Sequence, residues 1–138
     1  IIFSGKTRSS SVIESSKKIA NKTKAIEEMV EISKFGAKEI ASKSLDLITI
    51  GNLLEDNWRL KKSLSSSVSS KELNEFHDLI IESGAFGAKL CGAGGGGFFF
   101  VLSDKGAINK LRQKVGKNII IEPINISTTD DTYIRDEL

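Results

Sequence analysis

Apolar residues recur at spacings of three and four over most of the first half of the chain. In the segment 23–44 the apolar positions are Ile26, Met29, Val30, Phe35, Ala37, Ile40 and Ala41. Because this spacing places side chains on one side of an α-helix, it predicts a helix over residues 23–44. The same period predicts further helices over residues 9–21, 49–64, 72–83 and 107–115.

Short apolar runs mark the predicted strands. One run covers residues 98–102, and others open the chain at 1–4 and lie near its end at 119–127, with a short candidate edge strand at 132–135. Runs of this length are typical of β-strands. Strands separated by groups of helices indicate an α+β fold, in which a small sheet is covered on one face by a helical layer.

Composition and charge narrow the class of protein. The 138 residues suit one domain, and 20 Lys+Arg against 18 Asp+Glu give a net charge of +2, too even to favour nucleic acid or a membrane surface. Cys91 is the only cysteine, which excludes an internal disulfide and is typical of an intracellular protein. The chain begins with Ile1 inside an apolar run, so we expect it to be a piece of a longer polypeptide.

The most unusual segment is rich in glycine. Seven of the twelve glycines fall in residues 84–97. The segment is not a Walker loop, because it does not end in Gly-Lys-Ser/Thr. Gly92, Gly94 and Gly97 match GxGxxG, but that motif needs a strand before it and a helix after it, whereas here a predicted helix precedes and a predicted strand follows. Two interpretations stay open: a tight helix-to-strand crossing, or a loop whose bare amides hold an anion.

Four other side chains can carry chemistry, and each has a plainer alternative. Lys89 either faces a phosphate or lies on the surface. We expect Cys91 to be a small buried residue and Trp58 to pack in the core. His77 lies on the polar side of its predicted helix, and we expect it to face solvent.

Three stretches of the chain resemble one enzyme superfamily. The stretch 87–97 (GAKLCGAGGGG) resembles the third conserved motif of GHMP kinases, which include galactokinase, homoserine kinase, mevalonate kinase and phosphomevalonate kinase. The stretch 4–11 (SGKTRSSS) resembles the strand-turn-helix of D-glycero-α-D-manno-heptose 7-phosphate kinases. The helix over 51–64 resembles that branch too, with Trp58 and Lys61 in matching places.

The resemblance implies that residues 1–138 form a GHMP kinase C-terminal domain, a ferredoxin-like variant with a small antiparallel sheet. In that family ATP and Mg²⁺ are held mainly by an N-terminal domain, across a cleft between the domains. We therefore expect no catalytic residue and no metal ligand in this chain, and no activity from the fragment alone. The implied nucleotide contacts are the backbone amides of Gly92, Ala93, Gly94, Gly95 and Gly96.

The resemblance also implies a substrate. Lys6 and Arg8 stand between a strand and a helix N-terminus, where they would meet the phosphate of a heptose 7-phosphate; the alternative is that both are solvated surface charges. The expected reaction is phosphorylation of the anomeric hydroxyl of that sugar, for nucleotide-activated heptose and surface polysaccharide. A fucokinase- or galactokinase-like domain and a stand-alone ligand-binding module are the alternatives. Expected partners are the chain's own N-terminal domain and possible second copies in a homodimer, in the cytoplasm.

Overall fold

The computed structural model describes residues 1–7, 19–42, 44–116 and 119–124. In chain order the elements are β1 (Ile2–Phe3), α1 (Ile19–Ile40), α2 (Leu47–Leu64), α3 (Lys71–Glu82), β2 (Gly87–Leu90), β3 (Phe98–Leu102) and α4 (Lys105–Val115). None of these helices combines the length and the apolar character needed to traverse a lipid bilayer. Arg8 and the candidate strand 132–135 lie outside the described residues.

Capping side chains determine where three of the helices begin. Asp46 accepts hydrogen bonds from the amides of Ile48 and Thr49, so α2 starts two residues before the predicted boundary. Ser70 caps α3, and Asp104 Oδ1 accepts from Ala107 N at 2.7 Å at the start of α4. Each cap satisfies amides that have no partner within the helix and stabilises it by about 1 kcal/mol.

The sheet is antiparallel, with the strand order β1-β3-β2. Phe99 of β3 lies opposite Ile2 on one side and Leu90 on the other. Residues 120–122 lie alongside β1, where Phe3 N donates to Ile120 O and Glu122 N donates to Ile1 O. The predicted strand 119–127 is thus reduced to a single bridge between Ile2 and Ile121, and residues from 125 onward are outside the described part.

The glycine-rich segment is not a helix-to-strand crossing, so that interpretation is wrong. Residues 87–90 form β2, and the following loop returns the chain antiparallel into β3. The Cys91 amide donates to Phe98 O at 2.8 Å, which extends the ladder by one more pair. The connection is therefore a β-hairpin.

The core lies between one face of this sheet and the helices. Phe99 is fully buried and meets the ring of Trp58 edge-on at 6.0 Å and that of Phe76 at 5.9 Å. The buried core cluster consists of Ile2, Trp58, Val68, Leu73, Ile80, Ala88, Leu90, Phe99 and Leu111. The predicted α+β architecture and the core position of Trp58 are both confirmed.

Helix α2 packs unusually close to β2. A Cβ on Gly51 would overlap the carbonyl of Phe86, and a Cβ on Gly87 would overlap the carbonyl of Gly51. Backbone therefore touches backbone at this crossing, which only glycine permits. The contact sets the position of α2 relative to the hairpin.

Candidate functional site

The candidate site is the loop that joins β2 to β3, residues Gly92–Gly97, here named the glycine hairpin loop. Two of its glycines lie against this chain's own backbone. A Cβ on Gly94 would lie 2.7 Å from Val68 Cα, and one on Gly96 would lie 2.7 Å from Lys6 O. Both also have positive φ, 99° and 153°. Part of the predicted close approach is thus made within the domain itself.

Three backbone hydrogen bonds to other segments hold the loop in place, and one of them runs from Ser4 N to Gly97 O at 2.8 Å. The Gly95 amide donates to Val68 O at 2.9 Å, and the Gly97 amide donates to Lys6 O at 2.8 Å. Val68 belongs to the serine-rich segment 65–70 between α2 and α3, while Lys6 follows β1. The loop is therefore docked between two segments far apart in sequence, which restricts its conformation.

Four amides of the loop have no hydrogen-bond acceptor among the residues that the structure describes: those of Gly92, Ala93, Gly94 and Gly96. Gly94 and Gly96 are buried, where an amide without a partner is rare and costly. Water or a ligand can satisfy such groups. The Gly95 amide, which belongs to the predicted nucleotide-binding set, donates to Val68 O, so the other four amides of that set are the ones without an acceptor among the described residues.

Lys6 lies beside the loop, but its ammonium points to α3. Its Nζ lies 2.8 Å from Glu72 Oε2, and the Ser70 hydroxyl donates to the same carboxylate oxygen at 2.8 Å. The hydrogen bond from Lys6, followed by that from Ser70, lowers the pKa of Glu72 to about 2. Both charges are exposed, so an incoming phosphate could reach Lys6 by exchanging with Glu72. The role of Lys6 in substrate binding stays a prediction.

Helix α2 contributes a cation that the sequence did not mark as a site residue. Lys61 Nζ donates to Leu90 O at 2.7 Å and to Gly92 O at 2.5 Å, the two carbonyls that flank Cys91 at the start of the loop. Burial, followed by the charge of Lys89, lowers the pKa of Lys61. Lys89 itself donates to the Oδ1 of buried Asn57 at 2.6 Å.

A second polar side chain of α2 bonds the same edge strand. Glu55 Oε1 accepts from Ala88 N at 2.7 Å and lies 3.1 Å from His77 Nε2. The expectation that His77 faces solvent is wrong, because its side chain is only 8% exposed. Burial disfavours its charged form, but the hydrogen bond and charge of Glu55, with help from Asp78, outweigh that and raise the pKa of His77. Glu55 thus connects α2, α3 and β2.

The expected burial of Cys91 is also wrong, since the residue is exposed. Leu90 points into the core, and alternation along the extended chain turns Cys91 to the other side. Among the described residues, no three His, Cys, Asp or Glu side chains are grouped closely enough to hold a metal ion.

A glycine hairpin loop docked on its own domain, with four amides that have no acceptor among the described residues, occupies the place of the motif noted in the sequence. Residues 37–121 match the family model described as "GHMP kinases C terminal". The chain belongs to the GHMP kinase family. As a GHMP kinase C-terminal domain, it has four helices and the expected small antiparallel sheet among its described residues.

Two characterised relatives are similar to this GHMP domain. The D-glycero-alpha-D-manno-heptose 7-phosphate kinase of Campylobacter jejuni is 36% identical over 106 residues, which cover 75% of this chain and 31% of the relative. The bifunctional fucokinase/GDP-fucose pyrophosphorylase of Arabidopsis thaliana is 33% identical over 95 residues, 66% of this chain and 8% of the relative. The chain therefore spans about a third, or less, of the relatives it matches.

Proposed function

We propose that this chain is the C-terminal domain of an ATP-dependent sugar kinase that phosphorylates the anomeric hydroxyl of D-glycero-α-D-manno-heptose 7-phosphate. The family match and the similarity to a heptose 7-phosphate kinase over 75% of the chain support this proposal. The structural observation that carries it is the set of unpaired amides in the glycine hairpin loop, including the buried ones of Gly94 and Gly96.

Catalysis of phosphoryl transfer depends mainly on stabilising the negative charge of the transition state, and little on covalent bonds to the enzyme. The sugar hydroxyl oxygen bonds to the γ-phosphorus of ATP, the bond from that phosphorus to the β–γ bridging oxygen breaks, ADP leaves, and the hydroxyl proton is released. Negative charge is spread over the γ-phosphoryl oxygens during transfer. Amides whose direction is fixed before the reaction stabilise such charge without having to reorganise. The loop of this domain supplies that kind of donor.

Lys6 is the candidate for recognition of the sugar's 7-phosphate. It lies next to the loop through the bond from Gly97 N to its carbonyl, and its ammonium is exposed. A doubly charged phosphate is a stronger partner for an ammonium than the single carboxylate of Glu72. In the bound state we expect Lys6 to leave Glu72 for the phosphate, with Arg8 as a second cation by resemblance to the family.

The cofactors differ in how well the described residues fit them. The unpaired loop amides suit the phosphate oxygens of ATP. The described part of the chain groups no carboxylates for Mg²⁺, so we derive no step that involves the metal. We propose that an N-terminal domain of the same polypeptide holds the metal and most of the nucleotide, that the fragment alone is inactive, and that the enzyme works in the cytoplasm.

The test is a substrate panel with the full-length polypeptide that carries this chain. ATP, Mg²⁺ and, in separate reactions, heptose 7-phosphate, unphosphorylated heptose, fucose and galactose are incubated with the protein, and ADP and the phosphorylated sugar are quantified. We expect turnover of heptose 7-phosphate, and none from the 138-residue chain alone. Absence of turnover with every sugar would refute the proposal.

A fucokinase-like specificity is the second candidate. It is favoured by the 33% identity to the bifunctional fucokinase/GDP-fucose pyrophosphorylase over 66% of the chain. In the same panel it predicts that fucose, which carries no phosphate, is the preferred acceptor. Under this alternative, Lys6→Met should leave the KM for the sugar at the wild-type value. If the enzyme is a heptose 7-phosphate kinase, the same variant should raise the KM for heptose 7-phosphate about tenfold over the wild type, because an ion pair with the phosphate is lost.

A further inference from the structure

The start of the glycine hairpin loop depends on one ammonium group. Lys61 Nζ bonds Leu90 O at 2.7 Å and Gly92 O at 2.5 Å. These carbonyls come from residues two apart, and their negative ends converge on one point. Without a cation between them the two carbonyl dipoles repel, and among the described residues only the bond from Cys91 N to Phe98 O would then hold the turn at Cys91.

The position of Lys61 is itself fixed. It lies on α2, whose backbone touches β2 at the crossing of Gly51 and Gly87, and it is one helical turn beyond buried Trp58. A cation on such a rigid element holds its partners to a narrow range of positions. The lysine thus transmits the placement of α2 to the loop.

The remaining bonds of the loop act further along. Gly95 N bonds Val68 O and Gly97 N bonds Lys6 O, so both attach the second half of the loop. Gly92, unlike Gly94 and Gly96, does not pack against another segment: no heavy atom lies within 4 Å of where its Cβ would be. Among the described residues, Lys61 is the side chain that bonds the first half.

We propose that Lys61 is a positioning residue, whose ammonium group fixes the start of the glycine hairpin loop so that its unpaired amides point to one anionic ligand. The inference rests on the proposed function only for its effect on catalysis; the effect on the loop stands without it. Lys61 acts through the backbone of the loop and does not itself touch the transferred phosphoryl group.

Lys62 provides a matched control. It is the next residue on α2 and also lies near Trp58, with its Nζ 5.3 Å from the ring centroid and 3.5 Å from Asn74 Oδ1. Among the described residues, Lys62 forms no hydrogen bond or ion pair with the glycine hairpin loop. Lys62→Met therefore removes a charge of the same sign from the same helix and leaves the loop carbonyls bonded.

The first measurement is amide hydrogen exchange in the 138-residue chain, resolved by residue. In Lys61→Met we expect exchange of the Cys91 amide, which lies between the two carbonyls that Lys61 bonds, to accelerate about 10- to 100-fold, and that of the Gly95 amide, held by Val68 O, to accelerate less. The core amide of Phe99 should change less than threefold, and Lys62→Met should match the wild type at the loop. Equal exchange at the loop in Lys61→Met and wild type would overturn the proposal. If Lys61→Met does not fold, Lys61→Gln, which keeps N–H donors but removes the positive charge, is measured in its place against the same criteria.

The second measurement is steady-state kinetics of the full-length polypeptide. We expect Lys61→Met to lower kcat about 10- to 100-fold with a smaller change in the KM of the sugar, and Lys61→Arg to recover most of kcat because it restores a cation. A uniform loss in Lys61→Met, Lys61→Arg and Lys62→Met would mean that the lysine only stabilises the fold. If the wild type itself shows no kinase activity, the proposed function fails, while the exchange result still decides the role of Lys61.

Discussion

Replacement of Gly96 by alanine tests the claim that the glycine hairpin loop is docked on its own domain. The new Cβ would lie 2.7 Å from Lys6 O and 3.0 Å from Lys6 C, against an ordinary contact of 3.4 Å or more. Crowding of this kind costs about 1–3 kcal/mol. The positive φ of 153° adds about 1–2 kcal/mol for a residue with a side chain. We therefore expect Gly96→Ala to lower the free energy of unfolding by about 2–5 kcal/mol.

Gly92→Ala is the matched control, because it separates crowding from backbone strain. Gly92 also has positive φ, 68°, but no heavy atom lies within 4 Å of where its Cβ would be. Only the conformational cost of about 1–2 kcal/mol should appear. The assay is urea unfolding of the 138-residue chain, with the slope m checked for constancy so that the change reports stability. If the two variants lose the same free energy, the contact between Gly96 and Lys6 does not hold the loop, and the docking argument fails.

Two further predictions concern the packing of α2. Gly51→Ala should lower the free energy of unfolding by at least about 3 kcal/mol, because its Cβ would overlap the Phe86 carbonyl. Gly36→Ala in α1 is the control: its Cβ would make only an ordinary contact with Leu53, so the free energy of unfolding should stay the same or rise by up to about 1 kcal/mol. Urea unfolding of both variants measures the difference. The raised pKa of His77 means that its bond with Glu55 stabilises the fold fully below pH 6.5 and that this contribution disappears as the pH rises through the folded-state value. The free energy of unfolding should therefore decline in the wild type as the pH rises above 6.5, and a His77→Gln variant with the same decline would contradict this.

The helices were the easiest part of the fold to predict. For α2 and α3 the apolar spacing gave boundaries within two residues, because a helix of 12–18 residues repeats its signal several times. Strand β2 was missed for the opposite reason. It has four residues, and Gly87 and Ala88 leave it without the bulky side chains by which a strand is usually recognised. Its position depends on a backbone contact with Gly51, 36 positions earlier, which no local pattern contains.

The errors at single residues have the same origin. His77 lies on a side of α3 that is polar in sequence, yet Glu55 of α2 covers it, so a tertiary contact decided its burial. The exposure of Cys91 could not be derived before β2 was known to precede it. The location of the candidate site was predicted from glycine density, but its attachment was not, because Val68 lies in a serine-rich segment without periodic signal.

In the described part of the chain, both lateral sides of the sheet already carry hydrogen bonds to other segments of the protein. On one side, residues 120–122 bond Ile1 and Phe3; on the other, Glu55 and Lys61 bond the Ala88 amide and the Leu90 carbonyl. Recruitment of a foreign strand would require these bonds to break first. A foreign strand could therefore add to β2 only after Glu55 and Lys61 had released it, so loss of either α2 side chain should make strand addition at β2 easier.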